Sequence, residues 1–272
     1  MVDLISSRSN PKIKQVRSLR QSKARKETGL FVIEGIRPVG EAFEAGAAIS
    51  AIFYAPDDLK SEYANRLLDQ ATSQGIQTFA TTPEVFDAIA EKDNPQGILA
   101  VINQPKKRLN DLNPQTFTWG VALVDPQDPG NVGTILRTID AVGANGMLLL
   151  SGGTSHSGVV DLYHPNSVRA SMGTLFWHPV IISTFGDFTT WAEQHGYHLY
   201  GTSAHGTEEY QRVDRYIKPC ILIMGSEREG LTSEQASICE KVIRLPMHGR
   251  ATSLNLAVAT GVMLYDMLVK IQ

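Results

Sequence analysis

The sequence predicts an α/β protein in two domains, and three observations carry that prediction. Short apolar runs alternate with amphipathic stretches of helical spacing through the first hundred residues. A polar segment with two prolines, NQPKKRLNDLNPQTFT at 103–118, then interrupts the alternation. Beyond it comes a second series of runs, most of them continuously apolar, as parallel strands covered on both faces are. The reading is a small α/β domain over 1–105, a linker over 106–118 and a larger α/β domain with a parallel sheet over 119–272.

In the first domain Asn10 is placed to cap a helix that has Pro11 at its first position and runs to about Arg20. Ile13, Val16 and Leu19 share one face of it. A strand over 30–33 is followed by a helix over 37–45 that stops at Gly46. Strand 49–54, helix 61–73, strand 76–80, helix 83–90 and strand 98–102 complete the alternation. In the second domain the strands are 121–124, 146–150, 180–182, 197–201, 220–224 and 241–245. The final helix, 255 to about 271, is apolar nearly all round and must pack deep or against another subunit.

Composition narrows the class. The 272 residues are 42% hydrophobic and 19% charged with a net charge of −3, which excludes a disordered chain. No apolar run approaches the roughly 20 residues of a membrane span, and the N-terminus is polar and basic. Cys220 and Cys239 cannot build a disulfide framework, so a soluble cytoplasmic protein is expected. The charge is uneven. Residues 1–26 hold eight Lys or Arg against Asp3, a net of +7, which leaves −10 for residues 27–272. Such an arm, with Arg8, Lys12 and Lys14, points to a polyanionic partner, most simply nucleic acid; the alternative is a solvated helix face.

Three segments of the second domain leave an apolar strand into a loop rich in Gly, Pro or Asn, where such folds bind ligands. In VALVDPQDPGNVGTILRT (121–138) a stiff turn precedes Asn131, which is placed to cap a helix carrying Arg137 nearly two turns on. That arrangement suits an anionic or polar ligand, and equally a capped helix with a surface arginine. In CILIMGSEREGL (220–231) Gly225 lets a ligand lie against backbone and Glu227 can hold a polar group. In KVIRLPMHGRATSLN (241–255) Pro246 exposes backbone groups, and Ser253 or Asn255 opens the last helix as a cap. Dinucleotide and P-loop glycine patterns are missing from the sequence. GTSHSG (153–158) and GTSAHG (201–206) do not match a nucleophile elbow. His195 and His198 lie close in sequence without an acid in ligand spacing, so no metal site is expected.

Together these segments resemble the three motifs of the SpoU/TrmH family of SPOUT RNA 2′-O-ribose methyltransferases. DPGNVGTILRTIDAVGA resembles motif 1 with Asn131 and Arg137, IMGSEREGL motif 2 with Gly225 and Glu227, and LPMHGRATSLNLAVA motif 3 with Ser253 and Asn255. HPNSVRASMGTLFWHPV matches a further family segment around Arg169. SSRSNPKIKQVRSL, LFVIEGIRPVGEA and NPQGILAV resemble the ribosomal-protein-like (L30e-like) RNA-binding domain that precedes the catalytic one in many members. Thr252 and Asn166 stand where an acid and a lysine are frequent in the family.

The resemblance implies a deep trefoil knot in the C-terminal domain, a homodimer formed through it, and S-adenosylmethionine as methyl donor without a metal. It implies a donor site around Thr202, Ser203, Gly225, Leu245, Met247, Leu254 and Asn255. Arg137, Asn131, Glu227, Ser253 and Asn255 are then the catalytic set, and Arg8, Lys12, Lys14, Arg37 and Arg169 the RNA contacts. The implied substrate is RNA, 23S ribosomal RNA ahead of transfer RNA. The rival from another class is an RNA-binding or ribosome-assembly protein that keeps the scaffold without turnover; a pure binder has no need of all five catalytic positions.

Overall fold

A computed structural model of the chain describes residues 4–91, 94–153 and 159–272. Its contacts divide it into two units, Met1–Pro105 with Tyr163–Val168, and Lys106–Leu162 with Arg169–Gln272.

In the first unit α1 (Pro11–Ser18) starts as its sequence dictates: the Asn10 side chain accepts from the Lys12 amide at 2.9 Å and Pro11 opens the helix. Ile13, Val16 and Leu19 are buried with Val85, Phe86 and Ile89. A second helix that the sequence reading did not anticipate, α2 (Ser22–Thr28), has little apolar surface and is held by one buried cation. Arg25 is 2% exposed, and its Nη1 donates to the carbonyls of Leu19 and Arg20 at 2.6 and 2.8 Å. Those carbonyls follow α1, so the guanidinium satisfies groups that a helix end leaves unpaired. Then come β1 (Leu30–Glu34), α3 (Ile36–Glu44), β2 (Ile49–Tyr54), α4 (Glu62–Ser73), β3 (Gln77–Ala80), α5 (Pro83–Ile89) and β4 (Ile98–Asn103). The sheet order is β1-β4-β2-β3, with β4 antiparallel to both neighbours and β2 parallel to β3.

The second unit holds β5 (Trp119–Val124), α6 (Pro129–Val142), β6 (Gly146–Ser151), α7 (Pro165–Ser171, whose first residues belong to the first unit) and β7 (Val180–Thr184). It continues with α8 (Phe185–Gln194), β8 (His198–Thr202), β9 (Glu208–Glu209), β10 (Cys220–Met224), α9 (Ser233–Ser237), β11 (Lys241–Arg244) and α10 (Leu256–Lys270). The seven strands are parallel throughout, in the order β7-β6-β5-β10-β8-β11-β9. β5, β6 and β10 are buried along their whole length, which is why they read as uninterrupted apolar runs. Residues 106–118, expected as a linker, are mostly exposed but bury three apolar side chains. A short 3₁₀ turn at Leu109–Asp111 sets Leu109, Leu112 and Phe117 into the core of this unit. α10 lies against α6. Among the described residues no helix is long and apolar enough to cross a membrane.

Replacing Arg25 by Met removes the donors to the Leu19 and Arg20 carbonyls while filling the space. The expected loss is about 2 kcal/mol of unfolding free energy, read as a lower urea midpoint at unchanged slope.

Candidate functional site

Strand order sets the site. The strands are parallel, so the loops after β5, β8, β10 and β11 all leave the sheet at its carboxyl edge. A cavity of about 370 Å³ lies beyond that edge, walled by the loops after β8, β10 and β11. Its lining includes Thr202 and Ser203, Gly225 to Gly230, Leu245 and Met247, and Thr252 to Leu254.

The β10 loop is closed on itself. Ser226 bridges Gly230, whose amide donates to the Ser226 carbonyl at 3.0 Å. A Cβ on Gly225 would stand 2.0 Å from the Gly230 carbonyl carbon and 2.3 Å from the Leu231 amide nitrogen, so only glycine permits this turn. Thr202 Oγ1 donates to Met224 Sδ at 3.2 Å and the Ser203 amide to the Ile243 carbonyl at 3.0 Å, which ties the β8 loop to β10 and β11.

The turn points Glu227 at the start of α6. Its carboxylate accepts from the amides of Gln127 (2.9 Å) and Asp128 (3.4 Å) and from Asn131 Nδ2 (3.0 Å). Asn131 Oδ1 in turn accepts from Asn255 Nδ2 at 3.0 Å. The Asn255 Oδ1 caps α10 by accepting from the amides of Ala257 (2.9 Å) and Val258 (3.3 Å). Asn255, Asn131 and Glu227 therefore form one hydrogen-bonded chain that joins the β10 loop, the first turn of α6 and the start of α10, with Asn131 96 and 124 positions from its two partners.

This corrects one sequence expectation. Asn131 does not cap α6; Asp128 does, accepting from the Gly130 amide at 2.6 Å, with Pro129 at the first helical position. Asn131 lies inside the helix and is buried, its amide spent on the chain described above. Asn255 is a cap, as read, and holds Asn131 as well. Ser253 is exposed at the cavity wall and has no hydrogen-bond partner among the described residues.

Arg137 does not line the cavity. It is exposed on α6, six residues past Asn131 and hence about 9 Å further along the helix. The described residues give its guanidinium no hydrogen bond or ion pair. Arg169 is exposed in the last turn of α7. In the first unit Arg8 Nε donates to the Glu84 carbonyl (3.1 Å), Lys12 sits 4.3 Å from the Phe79 ring centroid and Arg37 pairs with Glu41 (2.7 Å), while Lys14 is exposed. The basic stretch is thus a packed helix with charged flanks.

Sequence reading passed over Met224, His205, Arg228 and Glu229, which also line the cavity. Only their place at the end of β10 and in the loops after β8 and β10 marks them out. Residues 154–158 of the GTSHSG run lie outside the described residues. Burial pushes the thiols of Cys220 and Cys239 up to about 12, so both are protonated core groups. Among the described residues no three His, Cys, Asp or Glu side chains converge on a metal position.

Glu227→Ala leaves two backbone amides and the Asn131 amide without their acceptor. The expected cost is about 2 kcal/mol of stability, measured by urea unfolding, and removal of Asn131 as well should then cost little more because the two act as one unit.

Over residues 119–265 the chain matches the SpoU rRNA Methylase family, and over residues 10–100 the MRM3-like substrate binding domain. It is similar to a 23S rRNA (uridine(2479)-2′-O)-methyltransferase of Streptomyces viridochromogenes, with 31% identity over 89% of this chain and 83% of that protein. Similarity to the 23S rRNA (guanosine(2553)-2′-O)-methyltransferase RlmP of Bacillus subtilis is 29% over 97% of this chain and 98% of that one. Among solved structures, an AdoMet-bound rRNA methyltransferase from Sinorhizobium meliloti superposes with a TM-score of 0.87 at 35% identity, covering 97% of each chain.

Proposed function

Because the chain belongs to the SpoU rRNA methylase family, we propose that the cavity and the Asn255–Asn131–Glu227 chain are the active site of an S-adenosylmethionine-dependent RNA methyltransferase acting on a ribose 2′-hydroxyl. Its RNA is ribosomal, in the large subunit, as the names of the relatives from Streptomyces viridochromogenes and Bacillus subtilis support. The observation that carries the reading is the side-chain chain itself: it joins the three motif loops beside a cavity of the size small-molecule sites have.

The residues present fit the donor. Leu245, Met247 and Leu254 offer an apolar wall for a base, backbone groups of the Gly225–Gly230 turn offer hydrogen bonds, and Thr202 and Ser203 close one side. When bound, the donor supplies a methyl group on a positive sulfonium. Asn255 and Asn131 hold Glu227, and with Ser253 they orient the ribose. A guanidinium stays protonated, so Arg137 does not remove the proton, which passes to solvent water as the O–CH3 bond forms and the sulfonium C–S bond breaks; Arg137 offsets the negative charge that develops on the ribose oxygen and aligns the backbone phosphate. Lys12, Lys14, Arg8, Arg37 and Arg169 supply contacts to phosphates. The deep trefoil knot and a cytoplasmic location belong to the same proposal.

A second copy of the chain belongs to it too. α10 buries Leu256, Met263, Leu264 and Met267 yet exposes Val258, Val262, Tyr265 and Val269, with Val269 78% exposed. Spacings of four, three and four residues put these on one stripe, and a shallow groove opens beside it, lined by Thr138, Val258, Gly261 and Tyr265. A self-complementary apolar stripe of this kind fits a two-fold dimer.

The deciding experiment maps 2′-O-methyl positions in ribosomal RNA from cells with and without the gene. One position should be lost with the gene, and the purified protein should restore it with labelled donor; uptake of the donor without transfer would favour a non-catalytic RNA binder. Arg137→Ala is expected to abolish transfer while calorimetry shows unchanged donor uptake and RNA affinity stays within a few fold. Val262→Asp is expected to convert dimer to monomer in sedimentation equilibrium.

A further inference from the structure

We propose that Trp177 is a stacking platform for an unpaired base of the RNA, on a nucleotide flanking the one that is methylated; this rests on the function proposed above. Trp177 is 46% exposed, unusual for the largest apolar side chain, and yet it is fixed. Its indole Nε1 donates to Asp140 Oδ1 at 2.9 Å, and His178 Nε2 meets the same oxygen at 2.9 Å. These hydrogen bonds, the indole's first and then the imidazole's, hold the Asp140 carboxyl below the usual carboxylate range, so the clamp is anionic at neutral pH.

The backbone beneath the ring is equally tied. Thr174 Oγ1 donates to the Ser171 carbonyl at 2.7 Å, and the amides of Trp177 and His178 both point to the Thr174 carbonyl. The same tight turn carries Met172, which is 40% exposed and held at a φ of 47°. A non-glycine residue in that region stores strain, and such residues concentrate at ligand sites. An aromatic ring that is exposed and already ordered loses little conformational entropy when a planar partner covers it.

Position selects the partner. Asp140 lies three residues after Arg137 on α6, 60° around the helix and about 4.5 Å along it, so Trp177 is clamped beside the exposed Arg137. Arg169, exposed, opens the turn on its other side in sequence. Cations flanking an aromatic face are how proteins hold single-stranded nucleic acid, with the charges on phosphates and the ring on a base. A second copy of the chain is the poorer occupant. Thr138 is the α6 residue that faces Gly261 of α10, and Arg137 and Asp140 stand 100° and 160° around α6 from it. The clamped indole therefore lies on the side of α6 turned away from the apolar stripe of α10.

The test uses the full-length protein, labelled donor and the RNA fragment that the wild type methylates. Trp177→Ala and Trp177→Leu should each raise KM for RNA about tenfold, the effect of losing one stacked base, with kcat within twofold and donor uptake by calorimetry unchanged. Trp177→Phe and Trp177→Tyr should restore KM to within about threefold. The Leu variant keeps apolar bulk should the Ala variant unfold. An unchanged KM in the Leu variant, a Leu variant as good as the Phe variant, or a loss of dimer in sedimentation that accounts for the KM change overturns the proposal. Failure of the wild type to bind donor or transfer methyl would sink the function itself, and is read in the same assay before any variant is compared.

Discussion

One hydrogen-bonded chain makes this site, and its direction is fixed by chemistry. A carboxylate only accepts, so Glu227 must take the Nδ2 face of Asn131. That leaves Oδ1 of Asn131 facing Asn255, which must then present its own Nδ2. Asn255 is left with Oδ1 for the first amides of α10. Each amide has one orientation that satisfies both neighbours, and no aspartate could replace either without setting acceptor against acceptor. The chain joins the loop after β10, the first turn of α6 and the start of α10, the three segments that would otherwise be independent loops on a parallel sheet. With Gly225 admitting the tight turn that aims Glu227, the site is held by backbone geometry on one side and by amide polarity on the other.

Much of the architecture is legible because local signals agree with the global fold. Asn10 and Pro11 mark the start of α1 with a mechanism, and the buried runs at 119–124, 146–151 and 220–224 are parallel strands for the reason their composition suggests. The parts that were not legible fail for identifiable reasons. α2 carries its anchor as a buried arginine, which no hydrophobic pattern reveals. α8 has Phe188, Trp191 and Ala192 inward, but aromatic residues and a glycine in its first turn blur the helical period. The segment 106–118 is polar on average, and its few apolar residues, Leu109, Leu112 and Phe117, are the ones that pack. In sequence Asn131 reads as a cap because its residue type is a cap and because its partners, Glu227 and Asn255, are 96 and 124 positions away. Motif resemblance grouped the three loops; only the fold shows which atoms meet.

The basic N-terminal stretch shows how charge and packing divide one helix. Ile13, Val16 and Leu19 go inward, while Lys12, Lys14 and Arg17 stay out. Two of its neighbours are structural: Arg25 closes the end of α1 and Arg8 reaches the Glu84 carbonyl. Its +7 therefore overstates the charge available to a polyanion: Arg25 is buried against carbonyls, and Arg8 has its Nε engaged and only its Nη groups left to offer.

In the proposed dimer, α10 links the motif loops to association. The helix is apolar on two sides because it has two jobs: Leu256, Met263, Leu264 and Met267 pack within the chain, and the stripe from Val258 to Val269 is left for a second copy in the proposed dimer. Its first residue is capped by Asn255, the same side chain that orients Asn131. A helix capped in this way moves as one body with its cap, so a partner pressing on the stripe also sets the height of Asn255 against α6. In the proposed dimer, subunit contact and amide polarity then act on a single rigid element, α10 with its Asn255 cap.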